Sequence, residues 1–177
     1  MKKYLLSLIF LLTILLQNKA YPQGDKQIEI HSPTFENNEL IPKDYTCDGK
    51  DISPPLSWSG IPENTKSLVL ICDDPDAPMG TWVHWVIYNM PPASKGLQEG
   101  VIPLPDLPYD TKQGINDFKK VGYSGPCPPS GTHRYFFKLY ALNTKLNLKS
   151  NATKNQLLAA MKGHILSQTE LIGKYKR

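Results

Sequence analysis

SLVLICDDPDAPMGTWVHWVIYNM, residues Ser67 to Met90, carries the reading that decides the fold. Two apolar runs rich in β-branched and aromatic residues, Leu68 to Ile71 and Trp82 to Tyr88, predict strands. Between them Asp73-Asp74-Pro75-Asp76-Ala77-Pro78 forms a stiff acidic turn. Each proline fixes its own φ and holds the residue before it, here Asp74 and Ala77, extended. Asp73 is expected in solvent. The turn sets carboxylates at the mouth of two strands, and His84 lies inside the second. Polar groups on such a rim are more often functional than polar groups scattered over a surface.

Outward from this hairpin the chain stays strand-like. Gln27 to His31 alternates Ile28 and Ile30 with polar neighbours, and Glu39 to Ile41 is a short extended piece. Leu56 and Trp58 share one face of a further strand. In Thr132 to Leu142 the period of two puts His133, Tyr135, Phe137 and Leu139 on one face. Arg134, Phe136, Lys138 and Tyr140 take the other. Ala93 to Val121 is rich in proline and glycine, and a connection of that length is expected to be functional or to cover a sheet. Asn151 to Gly163 predicts a helix capped by Thr153, ended by Gly163, with Leu157, Leu158 and Met161 as its apolar stripe. His164 to Tyr175 returns to an extended pattern. The sum is a mostly β protein, one domain over residues 21–177, with one or two short helices.

Three of the 20 basic residues, Lys2, Lys3 and Lys19, lie in the first twenty positions, which hold no acid. The remaining 17 basic residues nearly balance the 16 acidic ones. No basic stripe is present, which argues against a general nucleic-acid binder. Lys2 and Lys3 followed by the apolar run Tyr4 to Leu16 read as a secretory signal, cleaved near Ala20. The expected location is periplasmic or secreted. In that setting Cys47 and Cys127, both in turn-rich segments, are candidates for a disulfide, with Cys72 a small buried hydrophobe. Spacing alone leaves three free thiols open as the alternative.

The candidate chemistry gathers on Asp74 and Asp76 in the turn, His84 in one strand, and His133 with Tyr135 in another. If those two strands are neighbours, both imidazoles point into one pocket. Imidazole N–H groups, a phenol and exposed backbone amides all donate to an oxyanion. Gly125-Pro126-Cys127-Pro128-Pro129-Ser130-Gly131 can supply such amides. A nearby carboxylate can fix a histidine tautomer and disfavours a polyphosphate. A small phosphate ester or carboxylate is therefore the expected ligand. A metal site competes, but neither an H-E-x-x-H nor a paired C-x-x-C spacing is present. A hydrolase competes through Ser124, Ser130 or Cys127, without a G-x-S-x-G elbow. Structural histidines in a core are the third alternative.

Several of these segments, in this order, resemble the phosphatidylethanolamine-binding protein family, and most closely its bacterial Raf-kinase-inhibitor-like branch. They are Thr46-Cys47-Asp48-Gly49 through Ser53-Pro54-Pro55-Leu56-Ser57-Trp58, then Asp74-Pro75-Asp76-Ala77-Pro78 with Trp82-Val83-His84-Trp85. Gly125-Pro126-Cys127-Pro128-Pro129, Gly131-Thr132-His133-Arg134-Tyr135 and the tail Glu170 to Tyr175 complete the set. The resemblance implies a large central antiparallel sheet packed on a smaller one, with short peripheral helices. It implies a shallow anion pocket for phosphate or phosphorylated head groups, with no metal and no cofactor. Its ligand residues fall on Asp74, His84, Pro126, His133 and Tyr135. Asp76, Pro78 and Trp82 stand as supports. Membrane contact is expected at most through head groups. Kinase- and protease-inhibiting relatives make a protein partner a second expectation. The expected protein is a binder and not an enzyme.

Overall fold

The computed structural model describes residues 27–177. The signal segment at residues 1–20 and its cleavage at Ala20 lie outside them. The strands are β1 (Glu29–His31), β2 (Glu39–Leu40), β3 (Leu56–Ser59), β4 (Ser67–Asp74), β5 (Trp82–Met90), β6 (Gly96–Leu97), β7 (Lys112–Gln113), β8 (Thr132–Leu142) and β9 (Ile165–Lys176). The single α-helix of the described residues, α1, spans Lys154–Met161. Six strands form the large sheet in the order β2-β9-β8-β4-β5-β7, and three form a smaller sheet, β1-β3-β6. All pairs are antiparallel except β2 with β9. This is the mostly β, two-sheet architecture expected.

The sequence dictates the two cores. β4 is apolar on both faces and is buried along its whole length, as a strand covered on both sides should be. One face of the large sheet, with Leu70, Trp85, Tyr135, Phe137 and Leu139, packs on Ile30, Leu56 and Trp58 of the small sheet. The other face, with Val69, Ile71, Val86 and Tyr88, packs under α1 through Leu157 and Met161. Fully burying one such side chain is worth about 1.5–3 kcal/mol. Thr153 caps α1 in a reciprocal capping box with Gln156. The helix is shorter than expected and touches the sheet only along i and i+4, so Leu158 stays 39% exposed.

Two expectations are corrected here. Asp73 is not in solvent. It is the penultimate residue of β4, fully buried, and it accepts from Lys138 Nζ at 2.9 Å and from Lys154 Nζ. β4 runs two residues further into the acidic segment than its apolar run suggested, because two lysines from distant elements neutralise that carboxylate. Nor are the strands of His84 and His133 neighbours: β4 lies between β5 and β8.

The long segment after β5 covers the sheet. Gln113 buries its amide there, accepting from Trp85 Nε1 at 2.7 Å and donating to the carbonyls of Ile102 and Leu104. Among the described residues no helix is long and apolar enough to cross a membrane.

Candidate functional site

The site is built on a break in strand register. Cys72 pairs with Trp85, but the next residue, Asp73, pairs with Val83, so His84 is the extra residue of a β-bulge on β5. A bulge re-aims a side chain that regular alternation would send elsewhere. Here it turns the imidazole across β4 toward β8. The His84 and Tyr135 rings meet edge to face at 5.1 Å between centroids. The two strands thus share the pocket without being neighbours.

Each imidazole is held through Nδ1. His84 Nδ1 lies 2.6 Å from the Ser124 carbonyl, which only accepts, so Nδ1 carries the proton. Ser124 N–H donates in turn to the His84 carbonyl at 3.0 Å, which clamps the loop to the bulge. His133 Nδ1 donates to Asp74 Oδ2 at 2.7 Å. The other oxygen of Asp74 accepts from the Asp76 amide at 2.8 Å. Asp74 is therefore buried with one oxygen on the turn and the other on the histidine. It orients His133.

Among the described residues neither Nε2 has a hydrogen-bond partner, and neither is sealed from solvent. Among the described residues the one buried side-chain nitrogen or oxygen without a partner is the Tyr135 hydroxyl. Burial, and then the Asp74 carboxylate, push that phenol far above its ordinary range. It stays a neutral O–H. Desolvation lowers His84 below the usual histidine value; the Ser124 carbonyl and the charges of Asp74 and Asp51 oppose that shift only in part. The site thus offers the Nε2 atoms of two imidazoles and one unpartnered hydroxyl.

A Tyr135→Phe change removes an unsatisfied buried hydroxyl and keeps the ring. It is expected to stabilise the ligand-free protein by about 1–3 kcal/mol, seen as a higher denaturant midpoint. A lower midpoint would show that the hydroxyl is satisfied within the folded chain.

Asp76 is tied to the first residues of β8. Arg134 donates to it through Nε at 2.8 Å, through an outer guanidinium nitrogen at 2.7 Å and through its amide at 3.0 Å. The Arg134 hydrogen bonds hold the Asp76 carboxyl below the usual carboxylate range. They pin the turn to the start of β8. Pro78 is exposed at the tip of this turn, and Pro126 is buried, its carbonyl accepting from Cys47 N–H at 3.1 Å. Cys47 and Cys127 are joined by a disulfide with 5.4 Å between their Cα atoms, and Cys72 is free and buried. Among the described residues no group of three or more His, Cys, Asp and Glu side chains is placed to hold a metal ion.

Four contributors escaped the sequence reading. Asn116 is buried and donates to Ser124 Oγ at 3.0 Å and the Gly122 carbonyl at 3.1 Å, fixing the loop that holds His84. Asp117 accepts from the Val83 amide beside the bulge. Phe118 sets its ring against both His84, at 5.3 Å, and Trp82, at 5.5 Å. Asp51 accepts from the Gly125 amide at 2.6 Å. Asn-Asp-Phe inside an otherwise aperiodic connection was the available signal for the first three.

The sequence model of the phosphatidylethanolamine-binding protein family matches residues 31–176. The chain belongs to this family. Among curated relatives, a UPF0098 protein of Methanothermobacter thermautotrophicus is 55% identical over 150 residues, covering 85% of this chain and 99% of the relative. A UPF0098 protein of Aquifex aeolicus is 49% identical, covering 93% and 98%. Among solved structures, the PEBP homologue CT736 of Chlamydia trachomatis superposes with a TM-score of 0.79 at 43% identity, covering 86% of this chain and 99% of that one. E. coli YbcL, described as a member of the mammalian PEBP family, also gives 0.79, at 32% identity with 85% and 99% coverage.

Proposed function

We propose that this PEBP-family chain is an exported, non-enzymatic protein that binds a small phosphorylated or carboxylated ligand at His84, His133 and Tyr135. The observation that carries the reading is the buried Tyr135 hydroxyl without a protein partner, beside two imidazoles whose Nε2 atoms are open. An anionic oxygen accepts from the Tyr135 hydroxyl, and from each imidazole once its Nε2 carries a proton. Of the nucleophiles a hydrolase would use, Cys127 is held in the disulfide, and the Ser124 hydroxyl oxygen accepts from Asn116. Export rests on the Lys2-Lys3 start and the apolar run to Leu16. Intact mass of the exported protein tests it, and a retained Met1 would end it.

Because both Nδ1 protons are committed, each Nε2 is a lone pair until it takes a proton. A dianion meets repulsion there, and an anion that arrives with a proton meets an acceptor to which it can donate. Binding is therefore coupled to proton uptake. His84, lowered in the free protein, is neutral above its unfolded value near 6.5, and ligand must pull the proton on. Affinity is expected to rise as pH falls from about 7.5 to about 6, by up to about tenfold per pH unit for each proton taken up.

NMR titration with phosphoethanolamine and inorganic phosphate, following the ring protons of His84 and His133, tests the site. Both rings should shift together and saturate, and a His84→Ala, His133→Ala double variant should not bind. Sulfate, which does not titrate in this range, should show the same direction with pH. A flat sulfate profile would assign the pH effect to phosphate itself, and silent rings at millimolar ligand would remove the pocket.

A further inference from the structure

A second cavity opens where β5 ends. It holds about 460 Å³ and lies between the Met90-Pro91 end of that strand, Leu97 of β6 and the turn at residues 107–111. His84 lies back along β5 by about 20 Å at 3.3 Å per residue, and the two sites share no lining residue. Met90 belongs to the core, and Leu97 and Leu107 pack against it, so the floor of the cavity is apolar.

Two side chains in its wall do little within the chain itself. Thr111 is only 6% exposed. Its main chain is satisfied, the N–H donating to the Pro108 carbonyl at 3.3 Å and the carbonyl accepting from Leu107 N–H at 2.8 Å. Its hydroxyl has no hydrogen-bond partner among the described residues and is not sealed from solvent, so it opens on the cavity that Thr111 lines. A buried hydroxyl without a partner calls for one from outside the chain. Tyr109 stands at the mouth of the same cavity, 83% exposed. Tyr109 and Asp110 both take left-handed φ, 63° and 65°, which is uncommon for a bulky side chain. Asp110 is anchored by Lys112 at 3.4 Å and Lys145 at 3.5 Å, which holds the turn in that shape. Backbone held this way clusters at ligand clamps.

The walls also select the chemistry of an occupant. Among the described residues none that lines the cavity carries a charge. Asp106, Asp110 and Lys112 beside it pair with one another and with Lys145. An ion would lose its water here and gain no counter-charge. The Tyr109 ring, with Pro91 and Pro108 nearby in the wall, offers a stiff face on which a planar ring stacks. A cavity of about 150 Å³ holds benzene, so this one has room for about two fused rings with a substituent. We propose that the cavity binds a neutral fused-ring aromatic molecule, packed beside Tyr109, whose one hydroxyl or carbonyl pairs with Thr111 Oγ1.

The probe is 2-naphthol, titrated into the full chain and followed by its own fluorescence and by backbone amide NMR. The amides of Leu97, Leu107 and Thr111 should shift and saturate, while the ring protons of His84 and His133 stay in place. Thr111→Val keeps the shape and removes the hydroxyl. It should weaken 2-naphthol about tenfold and leave naphthalene, which lacks the polar group, unchanged. Tyr109→Gly suits the left-handed backbone and removes the ring. Its denaturant midpoint should hold or rise while 2-naphthol weakens about fivefold. 2-Naphthoate, the same rings with a charge, should bind at least about tenfold more weakly than 2-naphthol. Equal weakening of 2-naphthol and naphthalene by Thr111→Val would reduce the threonine to packing and overturn the proposal. So would 1-decanol binding as tightly as 2-naphthol, amides that stay silent at millimolar 2-naphthol, or a dimer in sedimentation that Tyr109→Gly dissociates.

Discussion

Replacing Lys138 and Lys154 together by methionine is expected to destabilise the protein by about 3–5 kcal/mol. Asp73 is wholly buried between the β sheet and α1, and these two ammonium groups hold one carboxylate oxygen each. Without them an ionised carboxylate stays in an apolar interior with nothing to neutralise it. The pair is asymmetric. The lysine side chains are 29% and 20% exposed, so each reaches water along its own stem when its partner is removed. Asp73→Leu alone should therefore cost less than the double methionine change. Combining all three should recover most of the loss, since an apolar set of similar volume replaces a buried ion cluster at little net cost. Chemical denaturation of the wild type and the three variants measures the cycle. Additive losses, with no recovery in the triple variant, would show that the lysines act by packing and not by charge.

That cluster also shows where sequence reading stopped. The alternation in β8 was legible because half-buried strands keep period two: His133, Tyr135, Phe137 and Leu139 do face inward together. The Thr153 cap was legible because capping is settled within four residues. Asp73 was misread because its surroundings are not local. Its two lysines lie 65 and 81 residues away, and the run Asp73-Asp74-Pro75-Asp76 reads as one solvated turn until they are placed. The bulge at His84 was equally out of reach, since it is a property of pairing with β4 and leaves no mark on β5 alone. The candidate ligand residues were found through the resemblance and their chemistry; their hydrogen-bonding state was not. That both imidazoles commit Nδ1 follows from Ser124 and Asp74, and in the sequence Ser124 stood out only as a candidate nucleophile.

Removing the disulfide with a Cys47→Ala, Cys127→Ala change is expected to lower stability by about 4 kcal/mol while leaving the pocket assembled. The bond closes a chain separation of 80 residues, which spans β3 to β7, so its loss frees a large part of the unfolded ensemble. In the folded state the same two loops have other ties. Cys47 N–H donates to the Pro126 carbonyl at 3.1 Å, Gly125 N–H to Asp51 at 2.6 Å, and the Tyr123 hydroxyl to the Tyr45 carbonyl at 2.8 Å. These keep Ser124 on His84 without the covalent link. The denaturant midpoint should fall sharply with an unchanged slope, and the His84 ring signals and their response to phosphate should persist. The opposite pattern, a small loss of stability with displaced His84 signals, would make the disulfide a local brace of the ligand site and not a restraint on the unfolded chain. In that case phosphate affinity should itself depend on whether the cysteines are oxidised, and titrations with and without reductant would show the difference directly.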